Sequence, residues 1–323
     1  MSLPGAVESM RAEVLEGLTR PLRELSPKHL YDERGSKIFE EITRLPEYYL
    51  TRVERGLLRE WVPAWIRDLR PQALVELGAG SAKKTRVALD AMEDEGSGDL
   101  FVPVDVSAVF LQEVADELRA DYPDLRIEPV VLDMAHSLEI PEPLPRPALF
   151  LLLGSTLGNF YPQDATDLLH RIRDRMADED HLLLGLDLRP SPRKPVEVLE
   201  AAYNDSRGVT ARFTSNVLRV LNRELGSDFD LEGYRHRARY NSEEGRMELG
   251  LVSLRDQTVR FPGGATLEIR EGEEIRTEVS CKYDRTSADA LLKPAGLEVR
   301  RWVQDGDDRF ALVLTGPQRA PHS

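Results

Sequence analysis

A single cysteine in 323 residues, Cys281, leaves no intrachain disulfide and no cysteine-cluster metal site to consider. Positive charge is scarce too: 43 Lys and Arg against 57 Asp and Glu leave a formal charge of −14. That sign does not suit a protein that neutralises nucleic-acid phosphates or docks on an acidic membrane, and neither partner is expected. No apolar run approaches the roughly 18 residues of a membrane span; the longest, around 148–153, is strand-sized. The six histidines, at 29, 136, 170, 181, 236 and 322, include no pair at helical ligand spacing, so no metal is expected. The first ten residues have neither the basic nor the apolar stretch of a secretory signal, and the expectation is a cytoplasmic protein. Apolar residues, by contrast, are in ordinary supply at 41%, enough for a real core. The length exceeds one average domain and suggests two units, or one with an insertion.

From 72 to 188 short apolar runs alternate with helix-like stretches, the pattern of a parallel sheet covered by helices. Strands are expected at 73–77, 101–104, 127–131, 148–153 and 182–186, with helices at 84–92, 108–122 and 164–176. Their near-continuous Val and Leu content suits burial on both faces. The proline-rich stretch 189–195 reads as a linker. After it come a helical segment around Val217 and Leu218 and alternating strands, including 246–251, the section of a smaller α+β unit. A helix at 287–292 and a hairpin turning at Asp305 and Gly306 then complete the first sheet, which makes the smaller unit an insertion. The Tyr-, Gly- and Pro-rich segments 31–36 and 45–49 are expected to form a loop that lids a pocket.

The strongest local signal is VELGAGSAKKT at 75–85, a strand that ends in Gly78-Ala79-Gly80 and runs into a helix. The glycines let the backbone turn tightly and approach a ligand, and the helix start presents free N–H groups. A dinucleotide fingerprint would place Gly or Ala at 83, where this chain has Lys83. A nicotinamide-dependent oxidoreductase is therefore the alternative, and a disfavoured one. Glu76 precedes the first glycine, Asp105 ends the next strand in position to accept from two ribose hydroxyls, and Asp133 ends the one after.

Glycine loop and acids at successive strand ends resemble the class I S-adenosylmethionine-dependent methyltransferases. That resemblance implies Asp133 and Met134 near the adenine, and Lys84 facing the cofactor carboxylate or, alternatively, solvated on its helix. By its position before the first glycine, Glu76 is expected to face the cofactor ammonium. Four further motifs, LYDERGSKIF (30–39), ITRLPEYY (42–49) with Thr51 and Arg52, LGSTLGN (153–159) and TEVSCK (277–282), look like the histidine Nα-methyltransferases of ergothioneine biosynthesis. The match covers nearly the whole chain. It implies an α/β fold with a Rossmann-like sheet, a closing antiparallel hairpin and an inserted α+β substrate domain. The domain bounds expected are 1–193 with 283–323, N-terminal helical lid included, and 194–282 for the insertion.

The activity implied is successive transfer of three methyl groups from S-adenosylmethionine to the α-amino nitrogen of L-histidine, giving hercynine. Another amino acid as substrate is the same-fold alternative. Carried over residue by residue, the cofactor site falls on Gly78, Lys84, Asp105, Asp133 and Met134. The histidine site falls on Tyr48, Asn159, Tyr203, Glu278, Val279 and Ser280, with Tyr31 and Phe39 lining the same pocket. No general base is legible; Tyr31, Tyr48 and Asn159 act by positioning. Each residue also has a plainer reading, with Glu278 and Ser280 on the solvent face of an edge strand, Tyr48 and Tyr203 half-buried, and Asn159 a turn residue. Leu249 stands where the family carries Met, a near-isosteric departure. A monomer is expected.

Overall fold

Strands apolar on both faces need cover on both sides, and amphipathic helices between them supply it. The computed structural model describes residues 4–319; the first three residues and 320–323, His322 among them, lie outside the described residues. The elements begin with α1 (Pro4–Thr19), β1 (Arg23–Glu24), α2 (Glu33–Ile42) and α3 (Leu50–Leu69). The expected alternation follows as β2 (Ala73–Leu77), α4 (Arg86–Asp94), β3 (Leu100–Asp105), α5 (Ala108–Asp121), β4 (Arg126–Ile127), β5 (Val130–Val131), β6 (Ala148–Leu152), α6 (Pro162–Arg175) and β7 (His181–Asp187). Next come α7 (Val196–Tyr203), α8 (Val209–Leu225), β8 (Tyr234–Asn241), β9 (Arg246–Ser253), β10 (Gln257–Arg260), β11 (Thr266–Ile269) and β12 (Glu274–Cys281). Last are α9 (Arg285–Leu292), β13 (Leu297–Gln304) and β14 (Phe310–Pro317). No helix among the described residues is long and apolar enough to cross a membrane.

The chain divides into two compact units, Tyr49–Pro195 with Cys281–Ser323, and Met1–Tyr48 with Val196–Ser280. The first is built on an eight-stranded sheet of order β13-β14-β7-β6-β2-β3-β4, with β5 also paired to β3. The strands from β4 to β7 run parallel, and β14 enters antiparallel between β7 and β13, the closing hairpin expected from the sequence. Val75, Val102, Phe150, Leu184 and Val313 meet in its core. The expected strand 127–131 is broken in two because Pro129 has no N–H for the ladder. Glu128 and Leu132 still donate their amides to Phe101 and Asp105, so the pairing to β3 resumes on either side.

The second unit holds a four-stranded sheet of order β1-β12-β9-β8 and the hairpin β10-β11. The buried stripe of α8, including Phe213, Val217, Leu218 and Leu221, packs on α2, β8 and β9. Three expectations change here. The chain through Tyr48 belongs with this unit rather than with the Rossmann-like sheet, because Arg23 and Glu24 pair with Ile275 and Arg276 of β12 and α2 packs on α8. Its returning segment is Val196–Ser280, against the expected 194–282. Residues 31–36 are also not a loop. Asp32 caps α2 by accepting the Gly35 N–H at 2.8 Å, so the Tyr–Asp–Glu–Arg–Gly–Ser run starts a helix.

Candidate functional site

At the carboxyl end of β2 the backbone turns through Gly78 at φ +75° and Gly80 at φ +50°. A side chain at Gly78 would be strained by that angle. Its Cβ would also stand 3.5 Å from Met134 Cε and 3.6 Å from Thr156 Cγ2, so these three positions meet at one place. Asp105, at the end of β3, accepts the Gly80 N–H on one carboxylate oxygen at 3.0 Å and the Ser107 N–H on the other at 3.1 Å. Each oxygen keeps a further lone pair. Asp133 follows β5 and accepts the Ala135 N–H at 3.0 Å, while the adjoining Met134 is buried. Gly78, Asp105, Asp133 and Met134 thus stand at successive strand ends of one sheet, where open α/β sheets take their ligands.

Lys84 is not a solvated helix lysine. It lies in the turn before α4, and its ammonium pairs with Glu54 Oε2 at 2.6 Å. Glu54, on α3, has no solvent exposure and accepts the Gly154 N–H on its other oxygen at 2.6 Å. Glu76 is buried behind the glycine turn, where Thr85 Oγ1 donates to its carboxyl. Burial pushes that carboxyl up to about 8, with the Thr85 bond and the Lys84 charge opposing and the Glu54 and Asp105 charges adding. Asn159 closes a short 3-10 turn, Thr156–Asn159, entered through Gly154 and Ser155 in left-handed conformation. Tyr283 Oη donates to Leu157 in that turn at 3.2 Å.

In the other unit, Tyr203 ends α7 and Ser280 lies on β12, and their hydroxyls are 3.1 Å apart. The Tyr203 carbonyl is held by His236 Nε2 at 3.0 Å. The rings of Tyr48 and Tyr203 meet edge to face at 6.2 Å, Tyr48 meets Phe39 at 6.2 Å, and Tyr31 meets Phe39 at 5.6 Å. Burial settles one alternative left open by the sequence. β12 pairs with β9 on one side and on the other with the two residues of β1, at Ile275 and Arg276; beyond them Glu278, Val279 and Ser280 are all buried. They do not line a solvent face.

Three features escaped the sequence reading. Phe213 of α8 packs against Tyr31 at 5.2 Å and Phe39 at 5.8 Å, and nothing but helical periodicity marked it. Glu54 had a readable signal: Leu50, Glu54, Leu57 and Leu58 share one buried stripe of α3, so a carboxylate sits where an apolar residue is due. The third is Asp187, which ends β7 with no exposure and holds Lys194, Lys282 and the Tyr49 hydroxyl.

Comparison with known proteins identifies the family. The sequence profile of a family described as "Histidine-specific methyltransferase, SAM-dependent" matches residues 10–317. A histidine N-alpha-methyltransferase of Mycolicibacterium smegmatis is 40% identical over 316 residues, covering 97% of each chain. Another, from Mycobacterium tuberculosis, is 42% identical over 308 residues, covering 95% of this chain and 94% of its own. Among solved structures, an S-adenosylmethionine-dependent methyltransferase from Clostridium acetobutylicum aligns over 88% of this chain and 99% of its own, at a TM-score of 0.50 and 12% identity, a likeness of fold.

Proposed function

Since the chain belongs to the family of histidine-specific, S-adenosylmethionine-dependent methyltransferases, we propose that it moves three methyl groups in succession from that cofactor to the α-amino nitrogen of L-histidine, giving hercynine. The observation that carries the residue assignment is the buried row Glu278–Val279–Ser280 with Tyr203 bonded to Ser280. An imidazole offers a donor and an acceptor at opposed nitrogens. Glu278 accepts from the ring N–H, and the Ser280 hydroxyl, oriented by Tyr203, serves the other nitrogen. A buried polar pair of this kind rejects a side chain that leaves it unmatched.

The residues at the sheet ends suit the cofactor by their chemistry. Asp105 accepts from ribose hydroxyls, Asp133 and Met134 take the base, Gly78 lets the backbone approach, and Lys84 faces the carboxylate. When bound, S-adenosylmethionine supplies a methyl group on a sulfonium, already a good leaving centre. The chain's part is alignment. Asn159 holds the amino-acid end of histidine through its amide, and Tyr31 and Tyr48 orient the nitrogen without adding charge. Fixing two reactants at near-attack distance contributes roughly 7–11 kcal/mol. The nitrogen must be neutral to attack, and a neighbouring cation with partial desolvation lowers its pKa. Aromatic faces also accommodate the growing ammonium, at about 0.5–2 kcal/mol per cation–π contact. The enzyme is expected to work as a monomer on these small molecules alone.

The decisive experiment offers the purified protein a panel of amino acids with S-adenosylmethionine and weighs the products. Histidine gaining one, two and then three methyl groups is expected. Preferential methylation of another amino acid, or arrest at one methyl, would sink the reading.

A further inference from the structure

Glu54 lies outside every motif that points to the cofactor, yet four elements are built around its carboxylate. α3 delivers it, the turn before α4 sends Lys84 to one oxygen at 2.6 Å, and the turn after β6 sends the Gly154 N–H to the other at 2.6 Å. The fourth is β7, where a Cβ at Gly185 would collide with Glu54 Oε1 and come within 3.2 Å of the Gly154 nitrogen. The arrangement has two costs. A carboxylate without solvent exposure in an apolar helix stripe is no more stabilising than a leucine of similar volume, and a glycine inside a central strand weakens it. The pair is also asymmetric. Glu54 is sealed in, whereas Lys84 keeps 24% of its side chain exposed. Its Nζ comes within 2.9 Å of where a Cβ on Gly154 would be. An ammonium has three donors and Glu54 takes one of them.

We propose that Glu54 is a positioning residue for the cofactor: it holds the Lys84 ammonium against the Gly154 turn, with its remaining N–H donors directed to the carboxylate of the amino-acid end of S-adenosylmethionine. This rests on the reading of Lys84 given above. Without Glu54 the lysine loses its place.

The test is a double-mutant cycle on the full-length protein, read as the dissociation constant of S-adenosylhomocysteine by calorimetry. Glu54→Gln is expected to weaken binding about tenfold, the scale of a lost charge-assisted bond, with the KM for histidine unmoved. In the Lys84→Met background the same substitution is expected to cost less than about twofold, because there is no ammonium left to place. An unchanged dissociation constant in Glu54→Gln, or an equal loss with and without Lys84, would overturn the proposal. Should Glu54→Gln not fold, Glu54→Asp keeps the charge and shortens the reach by one methylene; a tenfold loss that disappears with Lys84→Met supports the role, and a loss that persists overturns it. Failure of the unaltered protein to bind S-adenosylhomocysteine would instead fell the function proposed above.

Discussion

The carboxylate of Asp187 and the ammonium of Lys194 are 2.6 Å apart, and neither side chain has any solvent exposure. Lys282 approaches the other carboxylate oxygen at 2.7 Å, and the Tyr49 hydroxyl donates at 2.8 Å. Burial opposes the charge on Asp187, but the two lysines outweigh it and hold the carboxyl below the usual carboxylate range. Burial also pushes the Lys194 ammonium down, against the pull of Asp187. Two buried cations thus share one buried anion.

Asp187→Asn is therefore expected to cost about 3–5 kcal/mol in urea unfolding, because it strands two buried ammonium groups. The exposed pair Arg301–Asp68, at 2.8 Å with both side chains above 40% exposed, is the contrast. Asp68→Asn should move stability by less than about 1 kcal/mol. Similar losses in the two variants would contradict the assignment.

Glu76 makes stability depend on pH. Its native carboxyl titrates at about 8 against an ordinary value of 4.5. Below the lower value both states are protonated and the contribution is whole. As pH rises toward 8 the unfolded chain gives up the proton that the native state keeps, so stability falls, by at most about 1.4 kcal/mol per unit. Glu76→Gln removes this dependence. Between pH 5 and 8 its unfolding free energy should decline less steeply than that of the unaltered protein, and parallel slopes would rule the effect out.

Substitutions at the two ends of the reaction should separate by ligand. Glu278→Ala is expected to raise the KM for histidine about 10- to 100-fold, the scale of a buried hydrogen bond to a charged group, and to leave S-adenosylhomocysteine affinity within about twofold. Asp105→Ala should do the reverse. Equal losses of both ligands in either variant would remove the assigned roles.

Tyr203→Phe deletes the hydroxyl 3.1 Å from Ser280 and keeps the ring against Tyr48. A rise of about three- to tenfold in the KM for histidine is expected, the worth of one neutral hydrogen bond. Steady-state kinetics at saturating S-adenosylmethionine would check it; no change in KM would mean that Ser280 needs no orienting partner.

The sheet was legible because its inner strands are apolar on both faces, so 73–77 and 182–186 could be placed to within a residue or two. β1 could not, since two residues carry no alternation, and with it went the evidence that the first 48 residues join the second unit. Of the site, the glycine turn and the acids after β3 and β5 were visible because strand ends are where parallel sheets bind ligands. The ion pairs were not. Lys194 sits in a proline-rich stretch that reads as a linker, and only the fold shows that Ser191 and Lys194 exchange backbone bonds there, with the lysine fully buried. Glu54 was within reach, as the one charge in an apolar stripe, had the helix been scanned for what interrupts it.

The last strand among the described residues is an interior one. β14 pairs with β7 along Phe310–Thr315 and with β13 on its other side. During synthesis the edge of β7 therefore stays bare, a row of unpaired main-chain groups on a strand of leucines, until residues 310–315 are made. Making residues 310–315 is what closes the sheet beside β7, so a chain stopped before Phe310 is expected to aggregate rather than fold, which pulse-chase solubility would show.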